Sequence, residues 1–354
     1  GDVPLIRQDT LSKLLNVTDD NTLGLLTVEL EDPSGYGRIV RSKDGKVTRI
    51  VEHKDASEDE LKIGEINTGI LAVKASHMHK WLDKLDNNNV QGEYYLTDII
   101  SMAVEDGLQI VTSSPQSEIE IMGVNDKQQL SVLEREFQRR EAERLMKEGI
   151  TLVDPNRFDL RGEVVAGSDV VIDINVILEG KIELGNRVHI GPNTIIKNAR
   201  IGDDVVIQAN CVIEDAVVGE KSRIGPFARI RPDTKLAASV HIGNFVEVKK
   251  SEVGEGSKVN HLSYIGDTTI GSKVNIGAGT ITCNYDGANK HRTIIEDDVF
   301  IGSDTQLVAP VTIEKGATIG AGSTITSNAP ENELTLSRSK QITQRGWKRP
   351  VKKQ

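Results

Sequence analysis

A short period of an aliphatic residue followed by glycine runs through the second half of this chain. Nearly all intervals between successive pairs are sums of sixes with an occasional five. A strict short period indicates a solenoid, in which each unit buries its apolar side on its neighbours. The aliphatic residues of these pairs are Leu184, Ile190, Ile201, Val218, Ile224, Ile242, Val253, Ile265, Ile270, Ile276, Ile301 and Ile319.

An aliphatic residue at every sixth position suits a triangular coil with three short strands per turn. We expect this coil over residues 164–325, with the aliphatic residue pointing inward and the next glycine or small polar residue near a corner. Corners require positive φ, which glycine adopts without steric cost.

One interval is too long for the coil. The stretch between Ile276 and Ile301 is longer than any other interval and holds a polar string, residues 282–298. An insertion of this kind projects from a corner as a loop, and loops on rigid scaffolds often carry function. A loop without function is the alternative.

Composition excludes several classes of protein. The 354 residues carry a formal net charge of −10, which argues against a general nucleic-acid binder. Cys211 and Cys283 form neither a disulfide framework nor a metal-ligand spacing, so a reducing cytoplasm is favoured. No apolar run approaches the ~18 residues of a membrane span, and no signal peptide is recognisable.

The first part of the chain, up to about residue 125, predicts a mixed α/β fold. Buried-strand patterns alternate with helical spacing, and Asp44-Gly45 predicts a hairpin turn. Asp126 and Gln129 resemble a capping box that opens a polar helix, and Gly149 is its expected end. The start at Gly1 is typical of the end of a buried strand, so we expect a fragment.

Irregular strings outside the repeat are more specific than the repeat itself. Among them are EINTG from Glu65, GEYYLTD from Gly92, GNFVEVKK from Gly243 and NIGAGTITCNYDG from Asn275. Through these strings the chain resembles, end to end, the bacterial bifunctional N-acetylglucosamine-1-phosphate uridyltransferase / glucosamine-1-phosphate acetyltransferases. Further strings with the same resemblance are residues 1–5, 35–39, 51–55, 225–232, 261–267 and 302–306.

The resemblance implies the fold and its segments. It implies an α/β remnant of a nucleotidyltransferase (Rossmann-like) domain, then a helical arm, then a left-handed parallel β-helix of hexapeptide repeats. Family members begin with about 100 further residues that include a glycine-rich phosphate loop, and no such loop occurs here. The predicted segments are 1–126 (the C-terminal part of the uridyltransferase domain), 127–149 (linker helix), 150–327 (acetyltransferase β-helix) and 328–354 (basic tail).

The resemblance also assigns a nucleotide-sugar site and a magnesium site in the first segment. Hard oxygen ligands together with substrate phosphates suit Mg²⁺, for which the implied pair is Asp2 and Asn125. From spacing alone, Asp2 is equally a turn residue and Asn125 part of a helix entry. The implied nucleotide-sugar residues are Gly1, Asp2, Gly37, Glu52, Asn67 and Asn125.

Acetyl transfer from a thioester to an amine needs a general base, donors for the oxyanion and cations for the anionic substrates. Composition cannot select among the seven histidines. The resemblance implies that His261 is the base, with Glu247 orienting it or raising its basicity. A histidine on the coil surface without a role is the alternative for His261.

The remaining site residues are also implied by the resemblance. Because they span many coil turns and the tail, the family arrangement is a site shared between subunits of a homotrimer. The implied sugar-phosphate contacts are Arg231, Lys249, Tyr264 and Asn275, and the acetyl-CoA contacts are Ala278, Asn284, Tyr285, Ser303, Ala321 and Arg338.

The expected reaction is acetyl transfer from acetyl-CoA to glucosamine-1-phosphate in the bacterial cytoplasm. The parent protein would also transfer UMP from UTP to the product, with Mg²⁺, to give UDP-N-acetylglucosamine and pyrophosphate. We expect this second activity to be inactive in the present chain.

Two rival functions are possible on the same coil. A zinc-dependent carbonic anhydrase needs three histidines, and the coil region has no closely spaced histidine pair. A repeat scaffold without catalysis would tend to be uniform, without an inserted polar loop. A metal assay and a thiol-release assay separate these alternatives.

Overall fold

The structure is a computed structural model, and it describes residues 2–352. The chain forms two compact units, of which the first ends at Phe137 and the second begins at Gln138. The division lies inside the helix Lys127–Lys147. The domain limits expected after residues 126, 149 and 327 therefore remain predictions. Among the described residues, no helix has the length and apolar character needed to cross a membrane.

The first unit is the expected mixed α/β fold. Its five-stranded sheet has the order β3-β2-β4-β1-β5, in which β1 and β5 are parallel and the other pairs antiparallel. Its Rossmann-like ancestry remains a prediction. Its elements are α1 (Gln8–Asn16), β1 (Thr22–Glu29), β2 (Arg38–Arg41), β3 (Val47–Val51), β4 (Glu65–Ala72), α2 (Ala75–Leu82), α3 (Ile99–Glu105) and β5 (Gln109–Ser113), with 3₁₀ turns at Glu60–Lys62, Leu96–Asp98 and Glu118–Glu120.

Helix α4 (Lys127–Lys147) is the predicted arm, and its ends follow the sequence signals. Asp126 Oδ1 accepts from the Gln129 amide at 2.7 Å, as in a capping box. The Gln129 side chain accepts from the Asn125 amide at 2.7 Å, one residue before the expected position. Gly149, with φ of 98°, follows the last turn, where only glycine reverses the chain without strain.

The second unit is the predicted parallel β-solenoid, and each strand pairs in parallel with a strand one coil away. Its left-handed sense remains a prediction from the resemblance. A 3₁₀ turn lies at Pro155–Arg157. The strands are β6 (Thr151–Leu152), β7 (Phe158–Ala166), β8 (Val171–Ile172), β9 (Val176–Leu184), β10 (His189–Ile190), β11 (Ile195–Lys197), β12 (Arg200–Ile201), β13 (Val206–Ile207), β14 (Val212–Glu214), β15 (Ala216–Val218), β16 (Arg223–Ile224), β17 (Arg229–Ile230), β18 (Thr234–Leu236), β19 (His241–Asn244), β20 (Glu247–Lys249), β21 (Glu252–Val253), β22 (Lys258–His261), β23 (Tyr264–Gly266), β24 (Thr268–Ile270), β25 (Asn275–Ile276), β26 (Ile281–Cys283), β27 (Thr293–Ile295), β28 (Phe300–Ile301), β29 (Gln306–Val308), β30 (Val311–Ile313), β31 (Thr318–Ile319), β32 (Thr324–Ile325) and β33 (Leu334–Thr335).

The aliphatic residues of the repeat fill the interior of the coil, as predicted. Ile207, Ile224 and Ile242 lie opposite one another on β13, β16 and β19, and all three are buried. Full burial of such a side chain contributes about 1.5–3 kcal/mol. The stack therefore fixes which residues point outward, and so positions the site.

Of the glycines in the repeat pairs, Gly225 has the predicted positive φ, at 95°, but the others do not. Gly185 and Gly202 do not have positive φ; that conformation falls two residues later, on Arg187 (55°) and Asp204 (59°). The reason for glycine is space between coils, because a Cβ on Gly202 would lie 2.7 Å from the amide nitrogen of Glu220. These glycines therefore permit close stacking of the coils rather than a left-handed backbone.

The long interval forms a loop, as predicted. It leaves the coil after β26 and rejoins it at β27, and Thr268 of β24 still pairs with Thr293 of β27. Tyr285 and Lys290 form an antiparallel bridge within it. We refer to residues 284–292 as the 284–292 loop.

Candidate active site

His261 ends strand β22 at the surface of the coil. Its Nδ1 lies 3.1 Å from Oδ1 of Asn244, its register partner on β19. An amide oxygen only accepts, so Nδ1–H donates and the lone pair lies on Nε2. The backbone is held as well, because the Ser263 hydroxyl and the Gly279 amide donate to the His261 carbonyl at 2.8 and 3.3 Å. The geometry leaves Nε2 available to accept a proton.

The expected partner of His261, Glu247, has another role in this structure. Glu247 Oε1 accepts from Nη1 of Arg231 at 2.8 Å, and this contact raises the pKa of Arg231. The ring of His261 is held by Asn244 instead. Because Asn244 lies directly opposite His261, one coil earlier, the repeat spacing could have identified it.

A second cation meets the predicted sugar-phosphate residue Lys249. The pKa of Lys249 is lowered, first by the neighbouring Lys290 side chain, then by burial and by Arg231. Lys290 lies in the 284–292 loop and is not among the predicted site residues. The structure thus brings positive charge from the coil and from the loop together.

Gly266 provides space for two predicted site residues. A Cβ at this buried position would lie 2.4 Å from the Tyr264 hydroxyl and 2.8 Å from Nδ2 of Asn284. Its φ is not positive, so the backbone does not require glycine here. Nδ2 of Asn284 also donates to Asp267, which fixes the amide. Tyr264 and Asn284 therefore meet in the space that a side chain at position 266 would fill. Gly266 is the register partner of Lys249.

Several predicted residues stack in one column along a corner, each one coil from the next. The amide of Asp304 donates to the Ala278 carbonyl at 2.7 Å, and that of Gly322 to the Ser303 carbonyl at 2.8 Å. The small side chains leave an open strip beside the histidine. This His261 column comprises Asn244, His261, Ala278, Ser303 and Ala321, and Arg338 donates to the Ala321 carbonyl at 2.8 Å.

Two predicted contacts lie apart from these groups. Asn275 is on β25, where it pairs with Lys258 and Phe300 in the same sheet as the strand that His261 ends, three residues before Ala278 of the His261 column. Tyr285 is exposed in the loop, and its hydroxyl donates to the Gly287 carbonyl at 2.6 Å. Within the described residues, no contact joins Asn275 or Tyr285 to His261.

Three of the predicted nucleotide-sugar residues, Gly37, Glu52 and Asn67, lie close together. The Asn67 amide donates to the Gly37 carbonyl at 2.8 Å, and a Cβ on Gly37 would lie 3.4 Å from the Glu52 carboxylate. The Thr97 hydroxyl donates to Glu52 at 2.8 Å, and Thr97 is not among the predicted site residues. These residues thus lie together at one position on the five-stranded sheet.

The segments that carry the predicted magnesium ligands, Asp2 and Asn125, lie side by side. The Val124 amide donates to the Asp2 carbonyl at 3.1 Å, so Asp2 lies beside the segment that carries Asn125. Gly1, also predicted at this site, lies outside the described residues. Over residues 2–352, no group of three or more His, Cys, Asp or Glu side chains is arranged to hold a metal ion.

Comparisons with known proteins first define a class. Residues 292–327 match the bacterial transferase hexapeptide (six repeats) model, and residues 160–253 match the GMPPB C-terminal domain model. The coil is therefore of the hexapeptide-repeat type. The UDP-N-acetylglucosamine acyltransferase of Francisella novicida covers 53% of this chain and 67% of its own at 20% identity, but a TM-score of 0.28 is too low to bear on the fold.

Full-length relatives define the family. The chain is 60% identical to the Bifunctional protein GlmU of Nitrosospira multiformis over 354 residues, which is 100% of this chain and 77% of that protein. It is 61% identical to that of Methylococcus capsulatus, over 99% of this chain and 77% of that protein. The chain belongs to this family of bifunctional enzymes, which confirms the resemblance seen in the irregular strings.

Proposed function

We propose that this chain transfers the acetyl group of acetyl-CoA to the amine of glucosamine-1-phosphate, with His261 as the general base. The observation that carries the proposal is the contact between His261 Nδ1 and Asn244, which leaves Nε2 free beside an open strip of small residues. As the amine attacks the thioester carbonyl, its proton passes to Nε2. The tetrahedral intermediate then expels the thiolate of coenzyme A, which takes the proton from the imidazolium.

The substrates bind through charge and shape. Arg231 and Lys249 hold the sugar phosphate, supported by Tyr264 and Asn275. The open strip of the His261 column suits an extended acetyl-CoA, with Arg338 near its phosphates. The residues proposed to bind acetyl-CoA are Ala278, Asn284, Tyr285, Ser303, Ala321 and Arg338.

We also propose that the active form is a homotrimer with shared sites. Phe227, Phe245 and Leu262 occupy one corner over three consecutive coils, with exposed fractions of 49%, 55% and 63%. The two aromatic rings stack with their centroids 5.2 Å apart. This apolar corner adjoins Asn244 and His261, so a second copy seated there would reach the site and supply contacts that one chain leaves apart.

For the first unit, we propose that Asp2 and Asn125 hold the Mg²⁺ that the parent protein uses to transfer UMP to N-acetylglucosamine-1-phosphate, a reaction that we expect this chain not to carry out. Both residues are exposed and offer the oxygen donors that Mg²⁺ prefers. Bound Mg²⁺ would neutralise charge on the transferring phosphoryl group. Gly37, Glu52 and Asn67 would bind the nucleotide-sugar. Localisation in the bacterial cytoplasm is part of the same proposal.

Thiol release tests the acetyltransferase proposal. The purified chain is expected to release free coenzyme A thiol from acetyl-CoA only when glucosamine-1-phosphate is present. Glucose-1-phosphate, which has the phosphate but lacks the amine, is the matched control and should give no release. Equal release with both sugars, or none with either, would contradict acetyl transfer to the amine.

A further inference from the structure

The 284–292 loop is closed by its own residues. Tyr285 and Lys290 pair as an antiparallel bridge, and the His291 amide donates to the Asn284 carbonyl at 2.8 Å. The loop therefore leaves and rejoins the coil as a narrow hairpin. Lys290 lies on the returning limb of this hairpin.

The carboxylate of Asp286 ties the tip of the loop to its base. Its Oδ1 accepts from the amides of Ala288 and Asn289 at 2.8 and 2.6 Å. Its Oδ2 lies 2.7 Å from Nε2 of His291. One carboxylate thus bonds to the chain on both sides of Lys290, so it constrains the path of that residue.

This constraint matters because Lys290 faces another cation. The Lys290 side chain lies close enough to Lys249 to lower its pKa. The nearby carboxylates of Glu247 and Asp267 already accept bonds from Arg231 and Asn284. Two ammonium groups repel each other, and an unrestrained loop would carry Lys290 away into solvent.

We propose that Asp286 and His291 are positioning residues for acetyl transfer. They hold the hairpin closed so that Lys290 stays opposite Lys249 and the two cations receive the phosphate of the sugar substrate. This inference rests on the proposed function, in which Lys249 binds that phosphate. Neither residue contacts the reacting atoms, so the loss of either one should weaken sugar-phosphate binding and spare the chemical step.

Steady-state thiol release at saturating acetyl-CoA measures this effect. His291→Ala is expected to raise KM for glucosamine-1-phosphate by about three- to fivefold, the range of an exposed ion pair, with kcat within about twofold of wild type. His291→Gln should restore KM, because its amide can donate to Asp286. His189→Ala, an exposed histidine on β10 outside the loop, is the matched control and should leave both constants unchanged.

A double mutant shows whether the effect passes through Lys290. Lys290→Ala alone should raise KM by about tenfold, since it removes a charge-assisted contact to phosphate. Adding His291→Ala should raise KM no further, because positioning is irrelevant once the amine is absent. Additive effects would overturn the proposal, as would a fall in kcat with unchanged KM or failure of His291→Gln to restore binding. Failure of the proposed function would be seen separately, as thiol release by the wild-type chain that does not depend on glucosamine-1-phosphate.

Discussion

At the scale of single residues, the chemistry depends on which nitrogen of His261 is free. The Asn244 side chain fixes the ring by accepting from Nδ1. His261→Ala removes the proton acceptor, and positioned bases contribute roughly 10²–10⁴-fold to rate, so kcat should fall by about that factor. KM for the sugar phosphate should change little, because Arg231 and Lys249 remain.

The pH profile of thiol release checks this assignment. The wild-type rate should fall at acid pH, because a general base acts only in its unprotonated form. His261→Ala should lose this acid limb, and Arg231→Ala, which raises KM, should keep it. A variant lacking His261 that keeps wild-type kcat and the same acid limb would show that another group carries the proton.

Gly266 is a second position at which we expect the addition of a single carbon atom, the Cβ, to lower activity. Gly266→Ala would place a Cβ 2.4 Å from the Tyr264 hydroxyl, and must displace that ring or Asn284. We expect kcat/KM for glucosamine-1-phosphate to fall by about tenfold or more, the cost of a misplaced binding group. The midpoint of thermal unfolding should change less than activity does, since the atoms that the new Cβ meets are the ends of side chains.

The matched control at Gly266 is the variant Tyr264→Ala combined with Gly266→Ala. The added methyl group then meets one partner fewer, so it should cost less activity in that background than in the wild type. An equal cost in both backgrounds would show that Gly266 acts through the backbone and not through the space given to Tyr264.

At the scale of elements, the 284–292 loop has its own acid sensitivity. The Asn289 amide, the His291 ring and the Ala288 amide hold the pKa of Asp286 below the ordinary value of about 3.9. The stabilisation from a lowered carboxyl pKa is complete above that ordinary value and is lost as pH falls through the folded-state pKa. The closed loop should therefore persist at mildly acidic pH.

His291→Phe shifts this transition. Without the imidazole, the Asp286 pKa moves back toward its ordinary value, so the loop should open at a higher pH than in the wild type. Hydrogen exchange of the Asn289 amide reports the opening, and the Ile301 amide in the coil is the internal control. An unchanged midpoint for Asn289 would mean that the ring contributes nothing to closure.

The elements also show what the sequence could predict. The faces of the coil were predictable because buried aliphatic residues such as Ile224 and Ile242 recur with the period of the strands. The corner conformation was not, because positive φ falls on ordinary residues such as Arg187 and is imposed by the stacking of coils. Local preference for glycine, which guided the prediction, was overridden by packing.

The site was predictable mainly through the family resemblance. Spacing alone could not select His261 among seven histidines. Asn244 and Lys290 were missed because the first contact crosses coils and the second depends on the path of an irregular loop. Neither relation is visible in adjacent sequence.

At the scale of the whole molecule, the apolar corner tests assembly. Phe245→Asp would place a carboxylate in the proposed interface, where its desolvation is costly. We expect sedimentation to shift from trimer to monomer and thiol release to fall strongly. Val217→Asp, at an exposed position on β15, is the control and should remain trimeric. A wild-type chain that is active as a monomer would contradict the shared site.

The unusual length of one coil has an evolutionary consequence. Strand partners such as His241 and Lys258 are separated by one regular coil, whereas Thr268 and Thr293 are separated by a longer stretch that includes the loop. A single inserted residue inside a strand would turn every later side chain of that strand to the wrong face. Extra residues gathered in one excursion leave all later coils in step. The 284–292 loop can therefore change in length and sequence while the later coils, which carry Ser303 and Ala321, keep their places.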